Sequence, residues 1–403
     1  MIPLELALIE PLGRLYARPW AADVTGVQID SRRIEEGDLF VAVNSGADFI
    51  PHALARGAAA TLVPDHSHAA LAVIAGTVRD RSIARVVGIT GSTGKTTTRD
   101  ILAALCSPHL RTIASEANYN NELGVPLTLC RIEPDTELCI VEMGMRGLGQ
   151  IAWLASFAKP DIALITNIGP VHLELVETIL NVARAKAELI DALPPGGVAV
   201  VPDDPLLEPF LTRTDIEIRR FATDVPFETN YTAAHQIENT RAAIAVCDVL
   251  GVPVPEKLEV TFSPLREEEL ELDDDVLLLN DCYNANPMSM RAALDDLAAS
   301  ANGRRVAVLG DMLELGPGEV AYHEEIGAVA TAAGVDLLVT VGPLAAHIAT
   351  AYAGGPHHHV DDASAAAALL PDLLEPGDTV LVKASRGVGL EVVAQALETG
   401  TAV

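Results

Sequence analysis

Residues 86–98 read VVGITGSTGKTTT, an apolar strand that runs into a glycine-rich turn and then into a helix-forming stretch. Little else confines a chain so tightly. A strand without polar alternation has both faces covered, and a helix starting directly after it must pack back over one of those faces. The same alternation recurs. Apolar runs at 38–43, 58–64, 137–144, 161–169 and 196–202 are strand-like, and so are those at 276–281, 304–312, 335–342 and 378–385. Helical stretches lie between them, including 96–107 and the run 239–251 that ends at Gly251. The pattern predicts an α/β protein with doubly wound parallel sheets.

At about 100–200 residues per domain, a 403-residue chain makes two to four domains. The polar segment DRSIAR (80–85) places a boundary near 83. The charge run EEELELDDD (267–275) opens a further unit and is expected to be a solvated linker or an edge strand. Three units are therefore expected: a small N-terminal α/β unit over 1–83, a central unit over 84–265 and a C-terminal Rossmann-like unit over 266–403.

Lys and Arg number 27 against 56 Asp and Glu, a net charge of −29. Such a chain is a poor partner for nucleic acid, and an anionic membrane surface repels it. Every apolar stretch is broken before the ~18 residues a membrane helix needs. The start, MIPLELALIEPLGRLY, lacks the cationic region of a signal peptide. Cys106, Cys130, Cys139, Cys247 and Cys282 form no CxxC pair and are odd in number, which argues against a disulfide framework or a structural zinc. A reducing cytoplasm and a monomer are expected. His357, His358 and His359 follow GGP and read as a solvated loop, and GMRGLG (144–149) follows a strand without opening a dinucleotide fold.

The turn in 86–98 has the chemistry of a phosphate cradle. Gly91 and Gly94 let the backbone curl toward an anion, and Ser92, Thr93 and Thr97 complete the loop and the helix start. Lys95 is placed to reach the β- and γ-phosphates of ATP, and the Thr96 hydroxyl to bind Mg²⁺. The spacing is GxxGKT; Ile89 stands where the longer form of the motif has glycine. Glu142 ends the strand LCIVEMG, where open α/β sheets bind ligands, but a loop or capping role is the plain alternative. His172 and Lys186, each taken alone, read as packed or solvated residues.

Taken together these segments resemble the Mur ligase family, the ATP-dependent amide ligases of peptidoglycan assembly. GxxGKTTT after a strand carries the resemblance, with TNIGPVHLELVETILNVARAKAELI (166–190). It implies that Glu142 and His172 hold a second Mg²⁺, and that Lys186 is carbamylated by CO₂ and serves as an anionic metal ligand. Further segments are similar to the MurF-type branch of the family: IDSRRIEEGDLFVAV (29–43), EANYNNELGVPLTL (116–129), NDCYNANPMSMRAAL (280–294), VAVLGDMLELG (306–316) followed by His323, and VLVKASRGVGLE (380–391). That branch joins D-Ala-D-Ala to UDP-MurNAc-tripeptide through an acyl phosphate.

The resemblance implies a role for each matching residue. Ser31 and Arg32 fall in the uridine-binding segment; Asn118, Asn120 and Asn121 fall in the substrate loop. Asn239 matches an adenine-contacting Asn, with Gln236 in place of a first one, and Arg266 matches the Arg that closes the central unit near the ribose or phosphates. Asp281, Tyr283 and Asn284 would face the nucleotide from the third unit, and Asn286, Lys383, Ser385 and Arg386 the substrate. Gln150, Ala117 and Ala384 depart from the family pattern, and only a short loop joins Arg220 to His235. Two rivals stay open: a ligase of this fold for another amino acid or carboxylate, and a catalytically weak ATP-binding cell-wall scaffold.

Overall fold

The computed structural model describes residues 1–222, 224–264 and 268–399. Strand Arg85–Thr90 is the pivot. Val86, Val87 and Ile89 are fully buried, and the strand has parallel neighbours on both sides, Ile162–Ile165 and Leu138–Glu142. The sheet runs Glu217–Arg220, Val198–Val201, Ile162–Ile165, Arg85–Thr90, Leu138–Glu142, Thr112–Ala114, parallel throughout. Ile89 pairs with Glu142, and Thr90 with Ile165. This register brings three chain segments out at one carboxyl edge, where open α/β sheets bind ligands.

Helix Lys95–Cys106 leaves that edge and packs on helix Ala234–Leu250, which begins five residues before the run at 239 and stops at Gly251 in the left-handed region. On the opposite face lie helices Gln150–Ala158 and Ile179–Asp191. The apolar-in pattern of Ile179–Asp191 buries Val182, Ala183, Leu189 and Ile190, and Lys186 with them.

A second six-stranded sheet follows, in the order Glu268–Glu271, Leu277–Asn280, Thr379–Lys383, Arg305–Gly310, Leu337–Val341, His357–Val360. Only its first pair is antiparallel. The charge run thus supplies an edge strand, Glu268–Glu271. The three histidines lie in an edge strand too, not in a loop: His357–Val360 pairs in parallel with Leu337–Val341, and His359 Nδ1 meets Thr340 Oγ1 at 3.0 Å. A GGP turn ahead of a polar run hid a strand whose outer side has no sheet partner among the described residues.

The N-terminal sheet has four strands, Gly13–Ala17, Ala60–Pro64, Asp38–Val41 and Gly26–Gln28. Its helix Ser67–Arg81 shares one apolar core with the central unit, Leu71 and Ile74 alongside Leu154 and Phe157. Arg79 adds hydrogen bonds to the carbonyl oxygens of Ala158 and Lys159 and to Asp161. Among the described residues no helix is long and apolar enough to cross a membrane.

One departure from the family pattern has a packing partner. A Cβ at Gly310 would lie 2.6 Å from Ala384 Cβ and 3.1 Å from Val388 Cγ1. The missing side chain at 310 makes room for the methyl group at 384. Gly310→Ala should therefore lower unfolding free energy by about 1–3 kcal/mol, the cost of overpacking. Adding Ala384→Gly should restore most of it, measured by urea unfolding of the two variants.

Candidate active site

The phosphate loop is held from behind by the segment following strand Ile162–Ile165. Thr93 N–H donates to Asn167 Oδ1 (2.9 Å), Asn167 Nδ2 donates to Thr93 Oγ1 (2.8 Å), and Thr166 Oγ1 donates to Thr93 O (2.6 Å). Ser92 Oγ is locked between the N–H and the carbonyl oxygen of Gly169. Gly94 caps the helix with φ 73°, and a Cβ there would strike Asn239 Oδ1 at 2.3 Å. The loop and the buried Asn239 therefore touch with no space between them. Lys95 Nζ donates to Gly91 O at 2.8 Å, folding back across the loop mouth.

Glu142 is fully buried. Its carboxylate accepts from Thr96 Oγ1 and from Asn120 Nδ2, both at 2.8 Å, and Arg99 Nη1 stands 3.8 Å away. Its own N–H donates to Ser115 Oγ. Asn120 thus connects the NYNN loop to the end of the Glu142 strand. The loop reaches this point through Ala117, whose φ of 44° falls in the left-handed region that glycine adopts without strain. Its carbonyl accepts from Arg99 at 2.6 Å. The Ala-for-Gly departure sits where the backbone wants glycine, and an arginine braces it.

Lys186 is 2% exposed. Burial, with Lys95's charge added, holds its pKa well below the ordinary lysine value. His172 opens the short helix Leu173–Val176 with φ 53°. Burial lowers its pKa; hydrogen bonding to Glu314 opposes the shift, and the charges of Lys95 and Lys186 add to it. Glu314 comes from the C-terminal unit, and its Oε2 accepts from His172 Nδ1 at 2.5 Å.

The facing wall belongs to the C-terminal sheet. Buried Lys383 forms an ion pair with Asp281 and donates to Asn284 O at 3.0 Å, which fixes the DCYNAN turn. Asn286 caps helix Pro287–Ser300 in a reciprocal capping box with Ser289. Ser385 Oγ donates to Ala285 O and accepts from Leu313 N–H. Arg386 lies over the Tyr283 ring at 5.8 Å.

A cleft of about 1360 Å³ separates the two walls. Gly91, Ser92, Thr93, Gly94, Lys95 and Thr97 line it, as do Asn118, Asn120, Asn121, Glu142, His172, Lys186 and Asn239. From the other side come Asp281, Tyr283, Asn284, Asn286, Lys383, Ser385 and Arg386. Thr96 sits behind this surface, bonded to Glu142. Ser31 and Arg32 do not line the cleft. Ser31 Oγ meets His52 Nδ1 at 3.0 Å, while Arg32 pairs with Asp30 and its side chain is 83% exposed. Arg266 lies outside the described residues. The sequence reading passed over Glu314, Asn167 and Arg99. Glu314 stood in the quoted GDMLELG, but nothing local set its carboxylate apart. The GMRGLG stretch, set aside as a dinucleotide motif, supplies cleft wall through Met145, Arg146 and Leu148. Gln150 lies beside it and accepts from Arg146 N–H at 2.7 Å.

A cleft built this way belongs to enzymes that close two α/β units on a nucleotide. Three family descriptions match the chain: the Mur ligase family catalytic domain over residues 23–107, the Mur ligase middle domain over 89–247 and the Mur ligase glutamate ligase domain over 266–386. The chain is 36% identical to the UDP-N-acetylmuramoyl-tripeptide–D-alanyl-D-alanine ligase of Synechocystis sp., over 93% of its length and 92% of that protein. It is 33% identical to the Escherichia coli protein of the same name, over 94% and 96%. Among solved structures it is similar to MurF from Acinetobacter baumannii, with a TM-score of 0.85, 25% identity and coverage of 98% and 99%. It is also similar to the MurF ligase of Thermotoga maritima in complex with ADP, with a TM-score of 0.80, 28% identity and coverage of 93% and 97%. The chain belongs to the Mur ligase family.

The lowered pKa of Lys186 has a thermodynamic consequence. Between its folded and unfolded pKa values the unfolded chain binds one more proton, so stability rises with pH across that window. Methionine at 186 fills similar space and cannot titrate. In CO₂-free buffer the wild type should gain stability relative to Lys186→Met as pH is raised from about 7 toward about 10. Urea unfolding at each pH measures the difference.

Proposed function

We propose that this chain is an ATP-dependent peptide ligase that joins D-Ala-D-Ala to UDP-MurNAc-tripeptide in peptidoglycan precursor synthesis. The observation that carries the reading is the cleft itself, with a phosphate loop and a buried carboxylate on one wall and the DCYNAN and KASR segments on the other. The relatives' shared name supports the substrates. Residues 1–83, 84–265 and 266–403 serve as the substrate-binding, ATP-binding and ligase domains.

The terminal carboxylate of the tripeptide attacks the γ-phosphorus of ATP, forming a C–O–P bond as the bond to ADP breaks. The amine of D-Ala-D-Ala then attacks the acyl carbon, forms the amide and expels phosphate, losing a proton. The protein's part is positioning and charge placement. Backbone N–H groups of 91–95 and Lys95 hold the phosphates; Asn239, with Asp281, Tyr283, Asn284 and Arg266, holds the nucleoside side. Asn118, Asn120, Asn121, Asn286, Lys383, Ser385 and Arg386 orient the peptides, and Ser31 and Arg32 hold the uridine end.

The donor set fits Mg²⁺: a buried carboxylate and a hydroxyl, bonded to each other at 2.8 Å, are hard oxygen donors. Thr96 and Glu142, with His172 and a carbamate on Lys186, would hold two ions. When bound, these supply neutralisation of phosphate charge. Burial keeps the Lys186 amine neutral enough to attack CO₂, forming an N–C bond and releasing a proton. The carbamate would present two oxygens that share one negative charge where an ammonium could ligate nothing.

Phosphate release from ATP tests the reading. It should require both UDP-MurNAc-tripeptide and D-Ala-D-Ala; equal turnover with single amino acids such as D-Glu or L-Lys overturns it.

Lys186 gives a sharper test. A solvated helix lysine tolerates alanine with a change of about 0.5 kcal/mol and no loss of rate. Lys186→Ala should instead fold and be nearly inactive, with partial recovery in formate or acetate, whose oxygens can enter the vacated space. His172→Ala should lose activity without such recovery. A phosphate-release assay across carboxylate concentrations separates the two variants.

A further inference from the structure

Glu314 belongs to the C-terminal unit, yet its side chain ends on the central one. One carboxylate oxygen accepts from His172 Nδ1 at 2.5 Å, and the other faces Arg146 Nη2 at 3.4 Å. The backbone docks as well. Glu174 N–H donates to Glu314 O at 3.3 Å, and a Cβ on Gly316 would come within 3.2 Å of Glu174 N. Both partners stand in the left-handed region, uncommon for residues with a Cβ, φ 53° at His172 and φ 64° at Glu314. Two non-glycine residues in the left-handed region, facing each other across a domain junction, mark a contact that the surroundings enforce.

The loop carrying Glu314 is rigid before it reaches the junction. Met312 N–H donates to His323 Nε2 at 2.9 Å, and His323 Nδ1 donates to Glu319 O at 2.6 Å. Leu313 N–H donates to Ser385 Oγ at 2.9 Å. His323 and Ser385 thus aim the loop from inside the C-terminal unit. At the other end, a carboxylate accepting from Nδ1 puts the His172 proton on that nitrogen and leaves the lone pair on Nε2. This is how an imidazole is held ready to ligate a cation.

We infer that Glu314 is a positioning residue, which orients His172 from across the cleft so that the cation site is completed only when the C-terminal unit docks. Arg146 holds the second carboxylate oxygen and stops the group from rotating away. Domain closure then does more than cover the nucleotide: it supplies the hydrogen bond that sets the ring. The inference rests on the proposed assignment of His172 as a ligand.

Mn²⁺ provides the test, because its electron paramagnetic signal reports binding without turnover. Mn²⁺ is titrated into the full chain with a non-hydrolysable ATP analogue and UDP-MurNAc-tripeptide, for the wild type and for Glu314→Ala and Glu314→Gln. Glu314→Ala should weaken Mn²⁺ binding by about 10–100-fold, the range found for residues that orient metal-bound histidines. Its kcat should fall to a similar degree, while KM for D-Ala-D-Ala stays within about 3-fold because the dipeptide's own contacts are untouched. Glu314→Gln keeps an oxygen that can accept from Nδ1 and should recover a good part of both losses. Wild-type Mn²⁺ affinity in Glu314→Ala, or a Gln variant no better than Ala, overturns the inference. Thermal melting of each variant confirms that it is folded. Should the wild type ignore D-Ala-D-Ala, the substrate reading falls, and the difference in Mn²⁺ affinity still decides the role of Glu314.

Discussion

A carboxylate with no solvent exposure organises this molecule. Moving Glu142 from water into a sheet interior is costly unless its oxygens are satisfied. Here Thr96 of the phosphate helix and Asn120 of the NYNN loop each donate to it, and Arg99 stands close by. The donors come from separate chain segments, so meeting the needs of one residue joins the loop, the helix and the strand. Lys186 has the complementary problem. It is buried on a helix whose other inward residues are aliphatic, and burial pushes it toward the neutral amine. A fold selected for stability alone would have leucine there. The chain thus keeps both a buried acid and a buried base on one cleft, an arrangement that active sites favour.

The register of the central sheet makes this convergence possible. Strands in parallel register end together, and pairing Ile89 with Glu142 and Thr90 with Ile165 delivers three loops to one edge. Slipping one strand by a residue would exchange the residues it packs into the cores on its two faces and carry Glu142 away from Thr96. The apolar contacts of Val86, Val87, Ile89 and Ile140 therefore do positional work: they hold a hydrogen bond of 2.8 Å in place by forbidding the alternatives.

Much of this was legible in the sequence, for a physical reason. Apolar strands, glycine turns and helix starts are local patterns, and the central and C-terminal sheets follow them. Lys95 was legible from the glycine turn and helix start around it, and Glu142 in part from its place at a strand end; His172 and Lys186 were legible only through the family resemblance, since alone a helical lysine carries no mark of burial. Glu314 could not be read, because its importance lies in a partner 142 positions away across a domain junction. The His357–Val360 strand was missed because it lies at an edge, half-covered, with no alternation strong enough to outweigh the GGP turn before it. Gly310 and Ala384 make the same point in packing: the alanine looks like a neutral variation until the 2.6 Å approach that a Cβ at 310 would make shows that the glycine accommodates it.

The net charge of −29 stands against the binding of anions such as ATP and a UDP-linked peptide. Range resolves the conflict. Exposed charges are screened beyond about 8 Å at physiological salt, so the surface acids barely act inside the cleft. What acts there is short-ranged. The amino end of the twelve-residue helix Lys95–Cys106 offers N–H groups and a partial positive charge. Several of the cleft's cations already have acidic partners, Lys383 with Asp281, Arg386 with Glu391 and Arg146 with Glu314. These pairs shape the walls more than they attract anions. A polyphosphate meets short-range attraction at the loop and helix end of the central unit's wall, whatever the charge of the distant surface.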